Sequence, residues 1–158
     1  MKFGGTSVAN CEAITRAIDI IRGRLDEKPV VVVSALSKVT DLLYKLSDAA
    51  AAKNRVEVEN LLDQLRDRHI TLAKELLEGN DALCGQACAK VNEICDSLGK
   101  FVSAVCALGE LSDRSKAVII SNGEYLSSNI ICFALNARGI ATNYIDARSI
   151  IITSRDYL

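Results

Sequence analysis

The first eight residues constrain the fold of this chain more than any other stretch. A short apolar strand runs into Gly4 and Gly5. The small polar residues Thr6 and Ser7 come next and can cap a helix. Because the first N–H groups of a helix are unpaired and partly positive, such a turn attracts anions, and glycine lets an anion approach the backbone. With the positive charge of Lys2 beside it, the stretch is consistent with a phosphate site, although an ordinary strand–turn–helix junction has the same residues.

The pattern that follows predicts a parallel α/β sheet. Apolar residues recur at helical spacing from Ile14 to Leu25, which indicates an amphipathic helix packed on a sheet. Pro29 then precedes four valines, residues 30–33, a run typical of a strand buried on both faces. Strand, helix and strand in this order form a βαβ unit, in which the two strands lie parallel.

Hydroxyl residues follow the valine strand at Ser34, Ser37 and Thr40. Ligands of open α/β sheets bind beyond the carboxyl ends of the strands, so these hydroxyls are well placed to bind one. The alternative is that Ser37 or Thr40 only caps the next helix.

Residues 41 to about 109 are predicted to be helical almost throughout, with Gly79 and Asn80 as the clearest break. The one histidine, His69, lies in a polar run, residues 66–69, and is expected on a solvated helix face. No strand pattern interrupts this region, which therefore forms a helical excursion from the α/β core.

Ser112 is a candidate N-cap for one more helix, which contains Gly123 and Glu124. Glycine inside a helix costs up to about 1 kcal/mol relative to alanine, so a close approach at Gly123 is the favoured reason for it. Glu124 could receive a cationic group such as a substrate ammonium, or it could be a surface glutamate. Gly139 is predicted to end the helix, and residues 140–145 to form a strand.

Composition excludes several classes of protein. The 158 residues suit one domain with a real core, and the net charge of −1 favours neither nucleic acid nor an anionic membrane. No uninterrupted apolar run approaches the roughly 18 residues that span a bilayer, and the N-terminus lacks the layout of a secretory signal. The cytoplasm is the expected location.

Four of the six cysteines, at positions 84, 88, 95 and 106, fall on a narrow stripe of a helix. On a continuous helix this stripe is roughly 33 Å long, so the four thiols cannot share one metal ion. We therefore expect them to be small buried hydrophobic residues, and we predict no metal-ligating residues.

These segments together resemble the motifs of the aspartokinases, within the amino-acid kinase superfamily. Residues 2–8, Lys-Phe-Gly-Gly-Thr-Ser-Val, are similar to the opening signature of that family. Residues 34–43 are similar to its V-S-A…T-x-x-L segment, and residues 123–127 to its G-E-x-x-S segment. The runs at 146–148 and 153–155 look closest to the lysine-sensitive, monofunctional members.

The resemblance implies an α/β fold with the parallel-sheet sandwich core of an amino-acid kinase and a large helical excursion. Residues 1–40 would be the βαβ unit with the phosphate loop, residues 41–111 the helical excursion, and residues 112–158 the substrate-binding helix and following strand. It also implies that the chain is the N-terminal part of the kinase domain, inactive alone, and that the full-length enzyme is a homo-oligomer.

The implied activity is transfer of the γ-phosphoryl group of ATP, with Mg²⁺, to the side-chain carboxylate of L-aspartate. This is the first step of lysine, threonine and methionine biosynthesis. The resemblance gives the catalytic role to Lys2. It assigns ATP phosphate binding to Lys2, Gly4, Gly5, Thr6 and Ser7, and aspartate binding to Ser34, Ala35, Thr40, Glu124, Ser127 and Ser128.

Three alternatives remain from the residues alone. The chain could belong to another amino-acid kinase, acting on glutamate or a carbamate. It could be a non-catalytic α/β module with only the anion site, or a largely helical interaction protein.

Overall fold

A two-stranded parallel sheet and a group of long helices make up the part of the chain that the computed structural model describes, residues 1–152. The elements are, in chain order, β1 (Lys2–Phe3), α1 (Cys11–Arg22), β2 (Val32–Val33), α2 (Val39–Ala51), α3 (Arg55–Leu76), α4 (Asp81–Leu108) and α5 (Asp113–Ala137). Short 3₁₀ turns occupy Gly5–Val8, Leu25–Glu27 and Ala147–Ser149. Helices α2 to α5 pack on one another, and α5 also contacts β2.

The βαβ opening is confirmed. Lys2 pairs with Val32 in parallel register, and the N–H of Ser34 continues the ladder to the carbonyl of Phe3 over 3.0 Å. The expectation that the valine run is buried on both faces is wrong, since Val30 is 78% exposed and Val32 54% exposed. Side chains alternate along a strand, so these two point to the face that no described helix covers.

Helix α1 is capped by a residue other than the candidates that the sequence suggests. Thr6 and Ser7 lie exposed in the 3₁₀ turn and do not cap it. Asn10 is the N-cap instead, and its side chain accepts a hydrogen bond of 2.9 Å from the N–H of Ala13. The buried face of the helix then follows the predicted apolar spacing, with Ala13, Ile14, Ala17, Ile18 and Ile21.

Residues 39–108 are helical almost throughout, as the sequence predicts. Asn80 caps α4 with its side chain on the N–H of Leu83, at the break that the sequence predicts. A second break, between α2 and α3, follows a left-handed φ of 57° at Lys53, and Asn54 caps α3 there by accepting a hydrogen bond of 3.2 Å from the N–H of Glu57. Ser112 caps α5, and Gly139 follows its end with a φ of 77°, as expected.

Two expectations about the later chain are wrong. His69 is fully buried rather than solvated, on the face of α3 that also carries Leu65 and Leu72. Residues 140–145 form no strand, because the backbone of Thr142 bonds the side chain of Asn136 on α5 instead of a neighbouring strand. The predicted element at 153–155 lies outside the described residues.

The cysteine stripe lies on the core side of α4, as expected. Cys95 and Cys106 are buried, and Cys84 and Cys88 are half-buried. Burial raises the pKa of the Cys95 thiol to about 11, which keeps it protonated and unreactive.

Helix α5 is long and apolar enough to span a bilayer by length and composition, but this is weak evidence. More than half of its apolar window is buried inside the protein, and the core helix of a globular domain passes the same test. Its apolar residues pack on α2 and α4.

Candidate functional site

The loop between β2 and α2 is the centre of the candidate site. It leaves the carboxyl end of the sheet, with Ala35 and Leu36 buried. The N–H of Val39 bonds the carbonyl of Leu36 over 3.0 Å, which closes a β-turn over Ser37 and Lys38. Lys38 has a φ of 65°, in the left-handed region that costs a residue with a side chain roughly 1–2 kcal/mol. The loop is therefore strained, and contacts from other elements hold it in place.

The glycine turn after β1 lies against this loop. A Cβ added to Gly5 would be 3.2 Å from the carbonyl oxygen of Ala35, a tight contact with backbone. Neither Gly4 nor Gly5 has a positive φ, so close approach, not a left-handed turn, is the reason for glycine at position 5. The Nζ atom of Lys2 lies over the turn, 3.7 Å from where a Cβ of Gly4 would be.

Helix α5 contacts the same loop with two predicted site residues. The carboxylate of Glu124 accepts a hydrogen bond from the N–H of Ala35, with Oε1 3.2 Å from the nitrogen. One turn further, the hydroxyl of Ser127 donates to the carbonyl of Ser34 over 2.8 Å. Residues separated by about 90 positions in sequence thus meet at Ser34 and Ala35. Because Glu124 is exposed, its carboxylate is open to a ligand.

Gly123 explains how α5 comes so close. A Cβ at this position would be 2.8 Å from the Cβ of Ala35 and 3.2 Å from Cδ1 of Leu43, on α2. No side chain fits there without displacing the loop or the helix. The sequence prediction of a close approach at this glycine is confirmed.

The other predicted site residues lie further from this contact. Thr40 is half-buried in the first turn of α2. The hydroxyl of Ser128 donates to the carbonyls of Glu124 and Tyr125 within its own helix and not to the loop. Thr6 and Ser7 follow the glycine turn with exposed side chains.

Arg68 contacts the loop as well, and sequence reasoning missed it. Its Nη2 atom donates to the carbonyl of Ser37 over 2.6 Å, from the middle of α3. A backbone carbonyl as the partner leaves no sequence signal, so the polar run at 66–69 indicates only a solvated face.

His69, the next residue, is buried in the core without a full set of partners. Its Nδ1 donates to the carbonyl of Leu65 over 2.7 Å, whereas Nε2 is the one buried side-chain nitrogen or oxygen of the described chain without a hydrogen bond. Burial, with a further contribution from the charge of Arg68, lowers the pKa of His69 to about 4. The ring is therefore neutral at pH 7. His69 lies at helical spacing from the buried residues Leu65, Leu72 and Leu76, and this spacing is the sequence signal that indicates its burial.

The segment after α5 folds back onto that helix through charged and aromatic contacts. Arg148 lies over the ring of Tyr125, 4.5 Å from its centroid, and forms an ion pair with Asp146 over 2.7 Å. The hydrogen bond from Arg148 holds the pKa of the Asp146 carboxyl below its usual value. Tyr144 packs on Tyr125 with the ring centroids 5.9 Å apart. These contacts place residues 146–148 beside Tyr125, the residue that follows Glu124 on α5.

No three His, Cys, Asp or Glu side chains converge as a metal site would require, within the residues that the structure describes.

The candidate site has a cation, Lys2, over the glycine turn and a carboxylate, Glu124, over the strained loop. Such an arrangement can bind an anion at one end and an ammonium group at the other.

Parallel strands with these groups at their carboxyl ends define an α/β ligand-binding fold, and comparison identifies its family. The model of the amino acid kinase family matches residues 1–157, and the chain belongs to that family.

The relatives that it resembles are aspartokinases. It is 34% identical to the aspartokinase of Chlamydia muridarum over 99% of this chain and 32% of the relative, and 33% identical to aspartokinase 3, chloroplastic, of Arabidopsis thaliana over 99% and 27%. It is 29% identical to a bifunctional aspartokinase/homoserine dehydrogenase of Zea mays over 97% and 16%. The chain thus spans less than a third of the length of these relatives.

A solved structure gives the same result. The fold matches E. coli aspartokinase III in complex with aspartate and ADP, with a TM-score of 0.69 and 26% identity over 87% of this chain and 28% of that one.

Proposed function

We propose that this chain forms the phosphate- and substrate-binding part of an aspartate kinase. The reaction would transfer the γ-phosphoryl group of ATP to the side-chain carboxylate of L-aspartate and give 4-phospho-L-aspartate and ADP. The observation that carries the proposal is the contact of Glu124 and Ser127 with Ala35 and Ser34, because it joins the two predicted substrate segments into one site. The E. coli relative, solved with aspartate and ADP, supports the same ligands.

Each group has a role that its position allows. Lys2, over the glycine turn, would neutralise negative charge that develops on the transferred phosphoryl group, and the backbone at Gly4 and Gly5 would leave room for the phosphates. Catalysis would be positioning and charge neutralisation rather than covalent chemistry. Thr6 and Ser7 would supply further hydroxyls at the end of the turn.

The substrate would lie across the loop. The exposed carboxylate of Glu124 would bind the ammonium group of aspartate, with Ser34, Ala35 and Thr40 beside it. The hydroxyl of Ser127 donates to the Ser34 carbonyl, so Ser127 would support the loop. Ser128 would lie next to Ser127 on α5. Mg²⁺ would supply positive charge that neutralises the phosphates of ATP. Within the described residues no three candidate ligands converge, and Mg²⁺ commonly takes only one or two protein carboxylates beside the substrate phosphates.

The finer fold is part of the same proposal. We propose that the two strands belong to the parallel-sheet sandwich of the amino-acid kinases, with a further layer over the exposed face of Val30 and Val32. The resemblance to lysine-sensitive members and the homo-oligomeric state remain predictions.

Substitution of Glu124 by glutamine tests the function, because it keeps the shape and the hydrogen bond but removes the charge. Since the ammonium group does not react, the loss should raise the aspartate KM and leave kcat nearly unchanged. A charge-assisted hydrogen bond contributes roughly 1.5–3 kcal/mol, so we expect the KM to rise about ten- to a hundredfold.

Steady-state kinetics of the full natural protein give the measurement, with Glu78→Gln, an exposed glutamate in the turn after α3, as the matched control. If the KM for aspartate is unchanged while the KM for ATP rises, Glu124 does not bind the ammonium group. Turnover with glutamate in place of aspartate would indicate another amino-acid kinase.

A further inference from the structure

Arg68 holds the loop of the candidate site from a helix that carries none of the predicted site residues. Arg68 is half-buried, and the 2.6 Å hydrogen bond to the Ser37 carbonyl joins positions 31 residues apart. Hydrogen bonds from a charged donor are short and strong, so this bond fixes the direction of one peptide group.

That peptide group is the central one of the turn from Leu36 to Val39. At its third position Lys38 has a φ of 65° and a ψ of 1°, whereas Ser37 does not have a positive φ. These are the angles of a type II turn, which normally has glycine or asparagine at this position. A type I turn has the same closing hydrogen bond, but its central peptide is rotated by about 180° and its third residue has a negative φ.

Lysine at position 38 therefore favours the type I turn, and the bond from Arg68 opposes it. Rotation of the central peptide would relieve the left-handed strain of Lys38, but it would also turn the Ser37 carbonyl away from the guanidinium. The same rotation would reverse the directions of the Ser37 carbonyl and the Lys38 N–H, which lie between Ala35, the contact of Glu124, and Thr40 at the start of α2.

We propose that Arg68 is a positioning residue that selects the type II turn and so keeps the loop in the conformation that binds aspartate. This inference rests on the proposed function for its substrate. It assigns to α3, in the helical excursion, a direct part in ordering the site.

Loss of this bond should change the turn far more than the stability of the protein. A cavity of about 320 Å³ lies beside the loop, lined in part by Leu36, Arg68 and Thr71. In a shortened variant, water can enter from this side and solvate the Ser37 carbonyl, so no buried acceptor is left without a partner.

The test is Arg68→Gln in the full natural protein, compared with Arg66→Gln on the same helix. Arg66 contacts Asn92 and Asp96, over 2.8 and 2.7 Å, and does not contact the loop. Without the hydrogen bond from Arg68, only the fraction of molecules with the type II turn binds aspartate, so the aspartate KM rises by the inverse of that fraction. We expect a rise of about five- to thirtyfold, the factor that corresponds to the cost of a left-handed lysine, with kcat nearly unchanged.

A second background distinguishes positioning from a general structural effect. Glycine accepts the left-handed conformation without strain, so Lys38→Gly makes the type II turn favourable without Arg68. In that background, adding Arg68→Gln should change the aspartate KM by less than about twofold. Arg66→Gln should leave the KM unaltered in both backgrounds.

The crystal structure of the Arg68→Gln variant should show a type I turn with a negative φ at Lys38, and this readout does not depend on activity. A type II turn in that structure would overturn the proposal, as would an unchanged KM or an equal rise in the Lys38→Gly background. If the wild-type protein transfers no phosphoryl group to aspartate, the proposed function fails, and the turn type alone decides the role of Arg68.

Discussion

The sheet end of the molecule and its helical excursion differ in how they are held together. The sheet end, residues 1–38, has two strands of two residues each and leaves Val30 and Val32 exposed. The helices α2 to α5 contain most of the buried apolar side chains and pack closely on one another. The proposed phosphate-binding residues lie on the weakly covered part, and the well-packed part contacts the adjoining loop through Glu124, Ser127 and Arg68. We therefore expect some substitutions to change catalytic activity and others to change the stability of the fold.

The largest expected effect is on the sheet end. Lys2→Ala should lower kcat by about a hundredfold, since a charged group that acts on the transition state is worth on the order of 3 kcal/mol. The melting temperature should hardly change, because Lys2 is exposed. Steady-state kinetics and thermal unfolding of the full natural protein measure both, with the exposed Lys45→Ala as control. If kcat stays within about threefold of wild type, less than 1 kcal/mol, the catalytic role of Lys2 is wrong.

The next effect belongs to the helical excursion and depends on pH. His69 has a folded-state pKa of about 4, lower than its ordinary value of 6.5, so the unfolded chain binds the proton more readily. Well above pH 6.5 the ring is neutral in both the folded and the unfolded state, so His69 adds no pH dependence there, but stability is lost as the pH falls from 6.5 towards 4. From these pKa values we expect the loss from this group to reach roughly 2 kcal/mol at pH 5.

Denaturant unfolding at pH 7 and pH 5 measures this loss, and His69→Leu provides the comparison. The variant removes the titrating ring and keeps an apolar side chain, so its stability should fall less between the two pH values. Carboxyl groups titrate in both proteins and cancel in the difference. Equal pH dependence of the two proteins would show that His69 is not buried in its neutral form.

The smallest effect is at Gly123, where the two regions are in contact, and Gly85, a helical glycine away from that contact, should respond in the opposite direction. Gly123→Ala forces a methyl group against Ala35 and Leu43 and should destabilise the protein by about 1–2 kcal/mol, after the gain in helix propensity is subtracted. It should also raise the aspartate KM, since the loop must move. Gly85→Ala, on α4 with nothing within 4 Å of the added Cβ, should stabilise by about 0.5–1 kcal/mol.

Chemical denaturation compares these two alanine variants with wild type. A stabilising effect at both positions would mean that α5 does not approach the loop as closely as the structure has it.

The same two regions differ in how far the sequence predicts them. The apolar spacing of α3 to α5 and the caps at Asn80 and Ser112 depend on neighbouring residues, so local reasoning predicts them. The sheet depends on partners that are distant in the chain. The valine run and residues 140–145 have strand composition, but the first is covered on one face and the second bonds Asn136 instead of a strand.

The candidate site shows the same division. Gly5, Ser34, Ala35 and Glu124 lie in recognisable segments, and the structure brings them together. Arg68 acts on a backbone carbonyl, which any residue could supply, and the left-handed φ of Lys38 is not a conformation that lysine favours. Neither feature could be predicted from local pattern.

The hydrogen bond between Glu124 and the N–H of Ala35 also bears on the entropy of binding. A glutamate free in solvent samples many rotamers, and fixing such a side chain on association costs roughly 0.5–1.5 kcal/mol. Here one carboxylate oxygen is held by the backbone before any ligand arrives, while the side chain stays open to solvent. Under the proposed function, most of this side-chain entropy is lost during folding, so an ammonium group would bind a carboxylate that is already oriented.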